Sequence, residues 1–258
     1  MIRVNFISRG FDRLIKRGGR AELIIFLKSR VKVFFEIGFI EGLIATGAFG
    51  GSILPTVAVI GFSGYVGMAT LKHLSKSNAF ASIKAIGRDP KKAPALPRVT
   101  GVEASMTDKK AVKQALAGVD VAIVIPPGND QRIPGGVNTL EACKEAGIKS
   151  VILMSVDDCS APTPTKMVFG KQFSKIEKAA PKDTSILRFG FFLDNMWGDK
   201  DSIKTMDTIF APMDPAAKGR NLCTDDIGAC LAAVAQAPEE HKGKVYKPSG
   251  PPVSKAEV

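Results

Sequence analysis

Histidine, tyrosine and tryptophan are scarce in this chain of 258 residues, which holds two, two and one of them. The histidines, His73 and His241, have no cysteine or carboxylate cluster beside them at metal-ligand spacing, so no metal site is expected. Cysteine is nearly as sparse. Cys143, Cys159, Cys223 and Cys230 include no CxxC pair, which argues against a disulfide scaffold and suits a reducing compartment. No G-x-x-x-x-G-K-[ST] occurs, which excludes a P-loop. The run Gly61-Phe62-Ser63-Gly64 has the wrong spacing for a G-x-S-x-G nucleophile elbow.

Acidic residues are also short, 25 against 36 Lys and Arg, for a formal charge of +11. Charge of this kind raises non-specific attraction to polyanions without speaking to fold. Past residue 54 the basic residues are dispersed with few aromatics between them, so a nucleic-acid face is not expected. The remaining composition, 45% hydrophobic and 24% charged, is ordinary for a globular protein and excludes disordered, collagen-like and coiled-coil classes.

No long uninterrupted apolar run is present. The nearest approach, Val33–Leu54, carries Glu36 and Glu41, and a central carboxylate costs about 3 kcal/mol in a bilayer, so no transmembrane span is expected. The same run starts too late for a secretory signal. Residues 1–32 hold nine basic side chains against Asp12 and Glu22, which partly fits a mitochondrial transit peptide. The plainer alternative is a poorly structured tail, or upstream sequence that does not belong to the mature protein. Pro55 therefore separates an extension, residues 1–54, from a domain, residues 55–258. A cytoplasmic location is expected, or the mitochondrial matrix if the extension is a transit segment.

From Thr56 onward, short apolar runs alternate with helical patterns. Strands are expected at Thr56–Ile60, Ser82–Ile86, Val119–Ile125, Ser150–Val156 and Thr184–Phe189. Helices are expected at about Gly64–Ser77, with Val66, Ala69, Leu71 and Leu74 inward, and at Lys109–Leu116, Asn138–Ala146 and Phe169–Ala180. Gly147 would stop the third of these. Such alternation predicts an α/β fold, a doubly wound parallel sheet covered by helices on both faces.

The motif with chemistry in it is Gly61-Phe62-Ser63-Gly64-Tyr65-Val66-Gly67, between the first strand and the first helix. Gly61 allows a tight turn out of the strand, Gly64 lets a pyrophosphate approach the backbone, and Gly67 permits close helix–strand packing. The helix N-terminus then offers free N–H groups and the positive end of its dipole. Gly61, Ser63, Gly64, Tyr65, Val66 and Gly67 are the expected dinucleotide contacts. Cofactor choice is read at the end of the second strand, where a carboxylate would hold the ribose 2′-OH of NAD and an arginine the 2′-phosphate of NADP. The chain reads Ile86-Gly87-Arg88-Asp89-Pro90-Lys91-Lys92, so NADP(H) is expected through Arg88, with NAD less favoured; Asp89 is the competing residue one position on.

The chain resembles the NmrA-like members of the atypical short-chain dehydrogenase/reductase group, an NAD(P)-binding Rossmann fold. The resemblance rests on VAVIGFSGYVG, AIGRDP, TDKKAVKQALAGVDVAIVIPPG, VNTLEACKEAGIKSVILMSV, FGKQFSKIEKAAPKDTSILRFGFFLDNMWG and TDDIGACLAAVAQAPEEHKGKVYKPSGP. Together these cover nearly everything from Thr56 to Pro252, in family order. The resemblance implies that Ile125, Pro126 and Pro127 lie beside the nicotinamide end and that Phe189–Asn195 borders the substrate cleft. It implies one of two functions. The first is an NAD(P)H-dependent oxidoreductase acting on a small carbonyl or quinone-like substrate. The second is a non-catalytic NADP(H) redox sensor that regulates a protein partner.

Departures from the group's pattern bear on that choice. Catalytic short-chain dehydrogenases use a Tyr-x-x-x-Lys pair, but Ala69 and Gly250 stand four residues beyond Tyr65 and Tyr246. Lys171 and Lys175 occupy the helix where some relatives carry a functional lysine, and Lys171 is the candidate for a ribose or nicotinamide-side contact. The third strand, around Val102-Glu103-Ala104, looks a few residues short of the family's adenine-side aspartate, so Asp108 is expected to cap the next helix instead. The family also continues past the position of Val258 into a portion that covers substrate.

Overall fold

Thr56–Ile60, five residues of which four are fully buried, is the first strand, β1. A β-branched run of that kind is stable only where both faces are covered. The structure, a computed structural model, describes residues 54–161, 167–208 and 218–254. The expectations for the extension lie almost wholly outside them. Among the described residues no helix is long and apolar enough to cross a membrane.

After β1 come helix α1 (Tyr65–Ser75), β2 (Ser82–Gly87), β3 (Val99–Glu103), α2 (Lys109–Ala115), β4 (Val121–Val124) and α3 (Arg132–Glu145). Then follow β5 (Ser150–Val156), α4 (Val168–Ala179), β6 (Ser185–Phe189), α5 (Lys200–Met206), β7 (Lys218–Arg220), α6 (Thr224–Gln236), α7 (Pro238–His241), β8 (Val245–Tyr246) and β9 (Pro252–Ser254). Seven strands form one sheet in the order β3-β2-β1-β4-β5-β6-β8, every pairing parallel. β7 and β9 make a separate antiparallel ribbon.

Side-chain alternation sorts two cores across the sheet. Val57, Val59, Ile123 and Ile152 point to a layer closed by Leu71 and Leu74 of α1 and by Ile227 and Leu231 of α6. Ala58, Ile60, Val124 and Leu153 point to the opposite layer, closed by Val112 of α2, Leu140 of α3 and Ile176 of α4. This is the doubly wound α/β arrangement. Its strand order reverses between β1 and β4, where β2 and β3 lie to one side and β5 and β6 to the other.

Three expectations need correction. α3 begins at Arg132, six residues before the expected Asn138. Pro134 and the glycines behind it look like breakers, but Pro134 falls in the first helical turn, where its missing N–H would have had no partner in any case. Gly135 and Gly136 sit at close packing: a Cβ on Gly136 would meet Ile176 Cδ1 at 2.9 Å. In α1 Val66, Leu71 and Leu74 are buried as expected, but the fourth inward position is Thr70, whose hydroxyl donates back to the Val66 carbonyl at 2.8 Å, whereas Ala69 is only half-buried, under Gly228 of α6. Finally, β3 is displaced rather than short. It starts at Val99 and pairs over five residues with Ile83–Gly87. Asp108 does cap α2, accepting from the Ala111 N–H at 3.0 Å.

All four cysteines are free thiols. Burial pushes Cys143 up to about 12, so it is inert as a nucleophile near neutral pH.

Candidate functional site

The reversal between β1 and β4 leaves a crevice at the carboxyl ends of the strands, the place where open α/β sheets take their ligands. A cavity of about 450 Å3 occupies it. Its walls come from four strand ends: Gly61, Ser63 and Gly64 after β1, Gly87 and Arg88 at the end of β2, Ala104–Thr107 after β3, and Ile125–Asn129 with Gln131 after β4.

The glycine turn is tightly packed everywhere except at Gly64. Gly61 has φ +89°, and a Cβ there would run into the Ile125 carbonyl oxygen, so only glycine can make this turn. Gly67 packs against the turn, where a Cβ would lie 2.5 Å from Phe62 Cα. Between them Phe62 is fully buried, and Gly87 gives it room: a Cβ on Gly87 would meet Phe62 Cε1 at 2.8 Å. Gly64 is different. Its backbone is extended, and nothing lies within 4 Å of the place a Cβ would take. It is the N-cap of α1 and supplies no side-chain cap, and the first turn of α1 carries no acid. The open space therefore faces the unpaired N–H groups of a helix N-terminus.

The charge at the cavity wall is positive. Arg88 is the one charged side chain among the described residues lining the cavity. Its neighbour Asp89 is turned to local work, accepting from the Lys91 N–H at 3.1 Å to cap a short 3-10 turn and facing Lys92 at 4.0 Å. The competition between Arg88 and Asp89 left by the sequence thus resolves in space: Arg88 lines the cavity and Asp89 does not.

Of the residues singled out in the sequence, Gly61, Ser63, Gly64, Arg88, Ile125, Pro126 and Pro127 are brought together in the cavity wall. Tyr65, Val66 and Gly67 are not in it. Tyr65 is exposed, while Val66 and Gly67 are buried behind the turn. Lys171 and Lys175 are exposed on α4 and outside the lining. The Phe189–Asn195 segment divides. Phe189 is buried in the core, whereas Leu193 and Asp194 help line a second cavity of about 440 Å3 with Trp197, Lys200, Ile203, Lys204 and Cys223. Asp194 there accepts from both the N–H and the hydroxyl of Thr224, at 2.6 and 3.0 Å, and so tethers this segment to the start of α6.

Sequence reasoning missed Ser105, Met106, Thr107, Gly128, Asn129 and Gln131 in the cavity wall. The signal was available, since each group follows the carboxyl end of a strand, β3 for the first three and β4 for the rest. Ser105 and Thr107 hydroxyls lie 2.9 Å apart on the β3 side, and Asn129 Oδ1 accepts from the Gln131 N–H at 3.1 Å on the β4 side. Among the described residues no group of three or more His, Cys, Asp or Glu could hold a metal.

Three comparisons bear on this geometry. Quinone oxidoreductase 2 of Escherichia coli K12 is 25% identical over 199 residues, 75% of this chain and 68% of its own length. The crystal structure of the E. coli NADPH-dependent quinone oxidoreductase complexed with NADPH superposes with a TM-score of 0.66 at 26% identity, covering 75% of this chain and 69% of that one. Triphenylmethane reductase of Citrobacter sp. gives a TM-score of 0.67 at 21% identity over 78% and 72% of the two chains, a likeness of fold. The NmrA-like family matches residues 55–258 in one continuous stretch. With the Rossmann sheet, the switch-point cavity and the glycine turn in place, the chain belongs to the NmrA-like family.

Proposed function

We propose that this protein is an NADPH-dependent oxidoreductase whose acceptor is a quinone or a similarly conjugated small molecule. The observation that carries the proposal is the cavity itself: an uncapped helix N-terminus behind Gly64 and a lone lining cation, Arg88, facing space that no described carboxylate enters. These residues fit a phosphorylated dinucleotide. The N–H groups of α1 and the missing Cβ of Gly64 suit the diphosphate, Arg88 the 2′-phosphate, and Ile125–Pro127 make an apolar wall for the nicotinamide. Tyr65, Val66 and Gly67 act through the backbone of the first turn, and Lys171 would reach such a ligand only from α4. The E. coli relatives, a quinone oxidoreductase and an NADPH complex, support both the cofactor and the acceptor class. They give no support to the regulator.

When bound, the reduced nicotinamide supplies a hydride; with one proton from water, a quinone becomes a quinol and NADPH becomes NADP+. The chain's own part is to bind, to orient and to exclude water. A quinone suits a site without a Tyr-x-x-x-Lys pair, because the charge arriving with hydride spreads through the conjugated ring.

The test uses the full chain. NADPH fluorescence is followed on binding and then during oxidation by a panel of quinones and aldehydes. Binding with turnover on quinones, abolished by Gly64→Asp, is the expected result. A folded protein that binds no dinucleotide overturns the proposal. Binding without oxidation by any acceptor would point instead to the regulator.

A further inference from the structure

Arg132 opens α3 and is 9% exposed. Its Nη2 donates to the Gly128 carbonyl at 2.8 Å and its Nη1 to Gln172 Oε1. The guanidinium carbon lies 4.7 Å from the centroid of the Phe169 ring and 5.8 Å from that of Phe173. Every one of these partners is neutral. Among the described residues no carboxylate pairs with Arg132, and burial alone draws its guanidinium below the ordinary arginine range.

The contrast with Arg188 is sharp, because both arginines pack on α4. Arg188 meets Glu177 through two hydrogen bonds, at 2.9 and 2.6 Å, and so has its counter-charge. A buried cation without one is costly, and an apolar residue of the same volume would serve stability better. Arg132 stands one hydrogen bond behind the cavity wall, since Gly128 lines the cavity. It also stands at a defined end of it. Arg88 directly follows β2, on one side of the switch point, and Gly128 follows β4, on the other.

We propose that Arg132 biases this cavity toward the reduced form of its dinucleotide, through an uncompensated positive charge behind the end that takes the nicotinamide. The inference rests on the NADPH reading above. The two oxidation states carry the same phosphates and differ by one positive charge on the nicotinamide ring. A fixed cation behind that ring raises the free energy of the oxidised form and leaves the neutral reduced ring untouched. The protein then binds NADPH in preference to NADP+ and sheds the oxidised product.

The test is equilibrium titration calorimetry of NADPH and NADP+ on the full chain, for the wild type and for Arg132→Lys, Arg132→Gln and Arg132→Met. The wild type is expected to bind NADPH the more tightly. Arg132→Lys keeps the ratio of the two dissociation constants. Arg132→Gln and Arg132→Met lower that ratio, bringing the two affinities toward equality. A role confined to holding the Gly128 loop would weaken both forms alike and leave the ratio unmoved, which overturns the proposal. So does a wild-type protein that binds NADP+ as tightly as NADPH, a result that needs no variant. Failure of the wild type to bind either form is the separate result that removes the NADPH reading itself.

Discussion

Gly61 and Ile125 meet backbone to side of backbone: the Gly61 turn, at φ +89°, presses so closely on the Ile125 carbonyl that no Cβ fits between them. The contact locks the end of β1 to the end of β4, and it forms the floor of the cavity at the switch point. Gly61→Ala therefore faces both a left-handed backbone, which costs an L-residue about 1–2 kcal/mol, and a collision with fixed main chain. The variant is expected to lose at least about 2 kcal/mol in urea unfolding, where the midpoint shifts without a change in slope.

Gly64 is expected to behave in the opposite way. Its backbone is one any residue adopts, and the space beside it is open. Gly64→Ala should unfold within about 1 kcal/mol of the wild type, the scale of an exchange at an N-cap. NADPH affinity, measured by fluorescence titration, should fall at least about tenfold, because the methyl group takes the space of a phosphate oxygen and removes its access to the N–H groups. Equal losses of stability at Gly61 and Gly64 would contradict this division.

Arg88 and Asp89 provide a second paired comparison. Arg88→Ala should weaken NADPH by at least about tenfold, as expected for a lost hydrogen bond between charged groups, and leave NADH binding nearly unchanged. Asp89→Asn touches a residue occupied in capping a 3-10 turn. It should leave the preference between the two cofactors intact. The measurement is the ratio of NADPH to NADH dissociation constants in each variant.

Acid stability should report on Glu177. Burial raises its carboxyl, but the Arg188 guanidinium and the Ser155 hydroxyl outweigh that and hold it below its ordinary 4.5. The folded value lies under the unfolded one, so the contribution to stability is present in full above pH 4.5 and is lost as pH falls through the folded value. Arg188, raised by the same partner, stays protonated throughout. Glu177→Gln removes the counter-charge of a largely buried arginine and should cost about 3 kcal/mol near neutral pH. The urea midpoint of the variant should also fall less steeply than that of the wild type below pH 4.5. A parallel acid profile in the two proteins would mean that Glu177 titrates normally.

Much of the sheet could be read from the chain alone, because buried parallel strands are continuous apolar runs whose neighbours hardly matter. Ser150–Val156 is such a run, and it forms β5 with the expected bounds. The strand ends and glycine turn placed the cavity for the same reason, since phosphate-binding turns follow strands at fixed spacing. The start of α3 could not be read. Pro134, Gly135 and Gly136 are breakers by local preference, and only their position in the first turn and against Ile176 and Pro127 makes them acceptable there. The β3 and β4 contributions to the cavity, Ser105–Thr107 and Gly128, Asn129 and Gln131, come from stretches separated by over twenty residues, and they carry no shared local pattern.

By itself, then, the sequence determined the fold class, the family and the glycine turn, because hydrophobic period, glycine spacing and helix ends are local properties of the chain. Tertiary structure decided which of two adjacent charges faces the cavity. Arg88 enters the cavity and Asp89 caps a turn because the chain rotates between them as β2 ends, and residue order does not encode that rotation. Tertiary structure also decided which buried arginine has a partner. Glu177 and Arg188 meet across α4 and β6, while the Arg132 guanidinium finds only a carbonyl, an amide and two rings. Charge pairing depends on distances between elements, and those exist only once the layers have packed.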